Sequence, residues 1–241
     1  MTQRIAILRE LGLTPAWRER TPAPRGSVQA TDDRSVAVEN SPATVAEAAR
    51  ELSRDQCIAS ATWDELTHSI AQCTACKLHR TRHRTVPGVG DRAPTWMIVG
   101  EGPGEQEDQR GEPFVGAAGR LLDAMLAAIG KRRGHGVYIT NVVKCRPPGN
   151  RNPEAEEIAA CAPYLRRQIA LAQPKLLLAV GKTAAQTLLN RDATVGALRG
   201  STAQYETTPV QVTYHPSYLL RTPIDKAKAW ADLLRALDIA P

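Results

Sequence analysis

At 241 residues with 42% hydrophobic side chains, the chain is long enough to bury one sizeable core and carry one further segment, which excludes a stapled mini-protein. The formal net charge of +6 and an isoelectric point near 9.2 favour an anionic partner. Residues 1–60 hold eight Arg, no Lys and eight acids, so the whole surplus lies in 61–241. An odd count of five cysteines, no secretory apolar segment at Met1 to Glu10 and no membrane-length apolar run lead us to expect a reduced, cytoplasmic, monomeric protein with no membrane span.

Ile5, Leu8 and Leu11 recur at helical spacing until Gly12 and Pro15 end the pattern. Residues 1–20 therefore read as a short amphipathic helix and 21–43, poor in large apolar residues, as a disordered linker. Leu11-Gly-Leu-Thr-Pro-Ala-Trp-Arg18 resembles the N-terminal segment of the clamp-loader psi subunit. That likeness implies docking on a replication partner; the alternative is a helix packed on its own domain. Residues 44–241 form the expected folded domain, beginning with helices at 44–56 and at Trp63 to Gln72.

The stretch from Thr95 to Gly104 organises the rest of the chain. The apolar run Trp96 to Val99 stops at Gly100-Glu-Gly-Pro-Gly104, a buried strand opening into a turn. Gly100, Gly102 and Gly104 allow a close backbone approach, and Glu101 places a carboxylate at the strand's end. A dinucleotide fingerprint is excluded because its third glycine is Glu105, and Glu101, Glu105, Glu107 and Asp108 would repel a pyrophosphate. A polar loop is expected over Gln106 to Val115, carrying Phe114, the chain's one phenylalanine.

A core-facing helix comes next at Gly116 to Gly130, then a second strand from Val137 containing Asn141. Asn152-Pro153 reads as the N-cap and first residue of another helix. The third strand, Lys175 to Gly181, enters a helix through Gly181-Lys182-Thr183; the P-loop glycine required five residues earlier is Leu176, which excludes a triphosphate site. A fourth strand, Val210 to Tyr214, ends at His215-Pro-Ser-Tyr-Leu-Leu-Arg221, and Pro223 to Leu237 closes the chain as a helix. This alternation predicts an α/β class fold, a three-layer α/β/α sandwich around a central four-stranded parallel sheet. Glu101, Asn141 and His215 should meet at the strands' C-terminal ends.

Cys73, Cys76, Cys145 and Cys161 adopt a Cys-x2-Cys, long gap, Cys-x15-Cys pattern. Structural zinc usually takes two close pairs, whereas an iron-sulfur cube tolerates wider spacing, so both readings stand beside that of plain core thiols. A thioredoxin-type site is disfavoured because the pair comes after a helix. Cys57 is left over, and Lys77, Arg80, Arg82 and Arg84 form a basic run beside the first pair.

Gly100-Glu-Gly-Pro-Gly104, Gly111-Glu-Pro-Phe-Val-Gly116, Thr140-Asn-Val-Val-Lys-Cys-Arg-Pro-Pro148 and His215-Pro-Ser-Tyr-Leu-Leu-Arg221 together closely resemble the family 4 uracil-DNA glycosylases, from about Cys73 to Leu237. The resemblance implies a 4Fe-4S cluster on Cys73, Cys76, Cys145 and Cys161, and hydrolysis of the N-glycosidic bond of deoxyuridine in single- or double-stranded DNA. It implies base reading by the Asn141 carboxamide, stacking by Phe114, and a pocket edge from Gly100, Glu101 and Gly102. His215 would act on uracil O2 and Glu101 on the attacking water or the cationic sugar. Leu219 or Leu220 would wedge into the vacated stack, with Arg221 and the Lys77 to Arg84 run on phosphates. A related branch traps DNA through a histidine in an inserted loop; the segment from Arg146 to Pro153 contains none. The alternative is a DNA-binding or polymerase-associated adaptor that keeps the cluster with weak catalysis.

Overall fold

The computed structural model describes residues 53–201 and 203–241; the expected helix of 1–20, the linker of 21–43 and most of the helix at 44–56 lie outside them. The chain runs α1 (Arg54–Ser60), α2 (Trp63–Gln72), β1 (Val89–Gly90), β2 (Trp96–Gly100), α3 (Glu105–Arg110), α4 (Ala117–Ala128) and β3 (Val137–Asn141). It continues through α5 (Ala155–Ala172), β4 (Leu176–Val180), α6 (Lys182–Leu189), α7 (Val195–Leu198), β5 (Ala203–Tyr205), β6 (Thr208–Thr213), α8 (Pro216–Arg221) and α9 (Lys226–Ile239).

The strands form one sheet in the order β1-β3-β2-β4-β6-β5. β2, β3, β4 and β6 are parallel, as expected. Two antiparallel edge strands, β1 and β5, extend the predicted four to six. With two and three residues they are too short to show an alternating pattern in sequence.

All five residues of β2, β3 and β4 are buried, so alternate side chains feed two cores. Trp96, Ile98, Ile139 and Leu178 pack with Leu122 and Leu126 of α4 and Leu233 of α9. Met97, Val99, Leu177 and Val212 pack with Ile70 of α2, Tyr164 and Ile169 of α5, and Leu188 of α6. This is the three-layer sandwich. Full burial of a leucine such as Leu122 or Leu126 contributes about 1.5–3 kcal/mol.

Local chemistry sets the helix ends. Thr62 and Glu65 cap α2 reciprocally, Glu65 Oε2 accepting from Thr62 N at 2.8 Å. α5 starts at Ala155, later than the Asn152-Pro153 reading, because Glu157 takes the Glu154 N–H at 2.8 Å and pairs with Arg151 at 2.6 Å. The expected loop after Gly104 contains α3, which ends on Gly111 at φ 78°.

The chain steps outward from β2 to β3, then crosses back to β4 and β6, so strand order reverses between β2 and β4. The helices leaving these two strands pack on opposite faces, α4 on one and α6 on the other. That leaves a crevice at the strands' C-terminal ends.

Candidate active site

A cleft of about 220 Å³ occupies that end, lined by Glu101, Gly102, Phe114, Asn141, His215 and Ser217 among others. It unites the residues predicted from sequence. Gly100 and Asn141 pair in register on β2 and β3, and the ladder continues as Val142 N–H donates to Gly100 O at 2.9 Å. Asn141 is buried, and its Oδ1 has no hydrogen-bond partner. A Cβ added to Gly100 would overlap that oxygen and lie 2.6 Å from Phe114 Cζ. Glycine is therefore what leaves the amide room.

His215 caps α8, its Nδ1 accepting from Ser217 N–H at 3.1 Å and lying 2.7 Å from Ser217 Oγ. A ring nitrogen that accepts a backbone N–H carries no proton, so the neutral imidazole keeps its hydrogen on Nε2. Burial, assisted by Arg221 and opposed by Glu107, lowers the His215 pKa to about 4. The imidazole is thus neutral around pH 7. Its ring lies 5.6 Å from the Phe114 ring. Gly181 permits the close approach of β4, since a Cβ there would come within 3.0 Å of His215 Cβ.

Glu101 accepts a short hydrogen bond from the Thr183 hydroxyl at the start of α6. In sequence Thr183 reads only as part of a failed P-loop, which gives no sign of its contact with the carboxylate. Sequence reasoning missed Ser217 and Glu107 as well; the strand-end position of the His-Pro-Ser turn was the available signal for Ser217.

Residues 87–234 match the uracil DNA glycosylase superfamily. The chain belongs to that superfamily. It is 45% identical over 177 residues to the type-4 uracil-DNA glycosylase of Pyrobaculum aerophilum, covering 70% of this chain and 90% of the relative. It is 44% identical to the type-4 enzymes of Archaeoglobus fulgidus, over 66% of this chain and 84% of the relative, and of Thermotoga maritima, over 65% and 82%.

In this uracil-DNA glycosylase family member, Cys73, Cys76, Cys145 and Cys161 line one small cavity. Three of the four sulfurs face N–H donors: Arg82 reaches Cys145 Sγ at 3.1 Å, the Lys144 backbone N–H reaches Cys161 Sγ at 3.3 Å, and Arg54 lies 3.9 Å from Cys73 Sγ. The Lys144 side chain is fully buried, donating to Asn141 O at 2.6 Å and Thr140 Oγ1 at 2.7 Å. Burial lowers its pKa to about 8 against the pull of Cys161 and Cys145. Arg54 beside Cys73, Arg82 beside Cys145 and the Lys144 charge near Cys145 and Cys161 are surroundings that thiolates with an anionic cluster would balance. Among the described residues, no group of three or more His, Cys, Asp or Glu is placed to hold a single metal ion.

The predicted phosphate contacts divide. Arg80, Arg84 and Arg221 are exposed, whereas Lys77 is paired with Glu154 at 2.5 Å. Arg82 turns inward to Cys73 O at 2.8 Å as well as to Cys145. Of the two wedge candidates, Leu219 is 0% exposed and packed in the core, while Leu220 is 43% exposed.

Proposed function

We propose that the protein excises uracil from DNA by hydrolysing the bond between the base and its deoxyribose. The observation that carries this reading is the unpartnered Asn141 Oδ1, buried beside an aromatic ring and a neutral imidazole. Uracil flipped into the cleft offers an N3–H donor to that oxygen and an O4 acceptor to the amide nitrogen. Cytosine presents the reversed pair and leaves buried polar groups facing like partners, which rejects it.

Phe114 stacks on the base. As the bond from N1 to C1′ breaks, negative charge moves onto the uracil ring and its O2, where the Nε2–H of neutral His215 stabilises it as a hydrogen-bond donor. Removing a donor of this kind costs about 10²–10³ in rate. Water adds its oxygen to C1′ and loses a proton to solvent, while the departing uracil anion takes up a proton at N1; Glu101, steadied by Thr183, orients that water and offsets the cationic sugar.

Cys73, Cys76, Cys145 and Cys161 hold a 4Fe-4S cluster in this reading, supported by the N–H donors and cations around them. When bound, the cluster ties the turn after α2 to the end of β3 and to α5. Leu220 enters the vacated stack, with Arg80, Arg84 and Arg221 on phosphates.

The test is incubation with a uracil-containing oligonucleotide and then alkaline scission, beside iron analysis and the absorbance spectrum of the purified protein. Cleavage at uracil that collapses in Asn141→Ala and His215→Ala, with iron retained, is the expected result. Full turnover in both variants would sink the assignment.

A further inference from the structure

Phe114 has φ 55°, a left-handed backbone conformation that a non-glycine residue adopts only at an energetic cost. Such a conformation persists only where its surroundings impose it, and here three contacts do so. On the C-terminal side, Glu107 Oε1 accepts from Val115 N–H at 2.9 Å and Gly116 N–H at 3.0 Å. On the N-terminal side, Arg133 donates from Nη1 to Pro113 O at 2.7 Å and from Nη2 to Phe114 O at 2.8 Å. Underneath, Gly119 of α4 lets the Phe114 carbonyl rest on the helix, where an added Cβ would overlap it.

Arg133 lies between α4 and β3 and is not part of the cleft wall. Its guanidinium is fixed by Asp123 of α4, whose Oδ1 accepts from Nε at 3.2 Å and Nη2 at 3.0 Å. The planar fork therefore spans two consecutive carbonyls and one carboxylate. A lysine ammonium cannot reproduce that arrangement.

The geometry points to Arg133 as a positioning residue for base recognition: it holds Phe114 in the left-handed conformation that aims the ring into the cleft opposite Asn141. The inference rests on Phe114 being the stacking ring. Glu107 lines the cleft itself and touches both adjoining loops, so Arg133 and Asp123 are the cleaner probes.

A double-mutant cycle with Phe114→Ala, read as kcat/KM on a uracil oligonucleotide, decides it. Arg133→Ala is expected to lower kcat/KM by about 10–50-fold when Phe114 is present and by less than about 2-fold in the Phe114→Ala background. Arg133→Lys should melt close to the parent yet recover little of the activity. Equal losses in both backgrounds would overturn the inference, because Arg133 would then serve only the fold. If Phe114→Ala alone leaves kcat/KM unchanged, the stacking reading fails and the inference with it, a result distinct from additivity. Should Arg133→Ala not accumulate as folded protein, Asp123→Asn enters the same cycle with the same two outcomes.

Discussion

Gly100 stands beside Asn141 across the β2–β3 ladder so closely that a single methyl group on Gly100 would overlap the Asn141 side-chain oxygen. The position has no positive φ that would demand glycine on backbone grounds. The demand comes from the cleft. Gly100→Ala is therefore expected to fold, with an overpacking cost of about 1–3 kcal/mol. Because the methyl displaces both Asn141 and the Phe114 ring, kcat/KM for uracil excision should fall by at least about 100-fold. Thermal melting beside single-turnover excision checks this; a Gly100→Ala protein of normal activity would show that the amide does not need the space.

Thr183 reaches the same crevice from the other side of the strand reversal and donates to Glu101. Thr183→Val keeps the shape and removes the donor, leaving the carboxylate free to swing. The expected effect is a fall in the single-turnover excision rate of about 5–20-fold with little change in KM, since the base-reading groups stay in place. Thr183→Ser should retain most of the rate. An unchanged rate in Thr183→Val would show that Glu101 is held by other means.

The sandwich and the convergence of Glu101, Asn141 and His215 were legible because each depends on local pattern, whereas the grouping of Cys73 and Cys76 with Cys145 and Cys161 came from the family resemblance. Apolar runs stopped by glycine mark strand ends, and parallel strand ends gather on one side. What escaped depends on contacts between segments distant in sequence. The Glu101–Thr183 bond spans 82 residues and the Arg133–Phe114 bond 19, and neither residue type is unusual for its local setting. Arg82 shows the opposite failure. Its neighbours Arg80 and Arg84 make it look like part of a phosphate-binding run, but the fold directs its charge to Cys145 and the turn carbonyls.

His215 gives the pH dependence. Its folded pKa is lowered from 6.5 to about 4, by burial first and then by Arg221, with Glu107 opposing. Above pH 6.5 both folded and unfolded states hold neutral imidazole and the group has no effect on stability. Between 6.5 and 4 the unfolded chain takes up a proton that the folded protein refuses, so stability falls as pH falls through this window. At pH 5 the loss from this group alone is about 2 kcal/mol. Denaturant unfolding at pH 8 and pH 5 should show that difference shrinking in His215→Gln. Excision by the parent should stay insensitive to His215 protonation down to about pH 5; a rate that tracks an imidazole titrating near 6.5 would mean the ring is not held neutral.

The neighbouring leucines of α8 separate a structural role from a DNA-contacting one. Leu219 is buried against α4 and α9, so Leu219→Ala should cost about 2–5 kcal/mol of stability through the cavity it leaves. Leu220 is 43% exposed on the helix that His215 caps, and Leu220→Ala should change stability by less than about 1 kcal/mol. A wedge acts only where a partner base and its stack must be replaced after flipping. Leu220→Ala should therefore slow excision from duplex DNA by about 5–30-fold while leaving single-stranded substrate within about 2-fold of the parent. Equal slowing on both substrates would remove the wedge role and make Leu220 an ordinary surface contact.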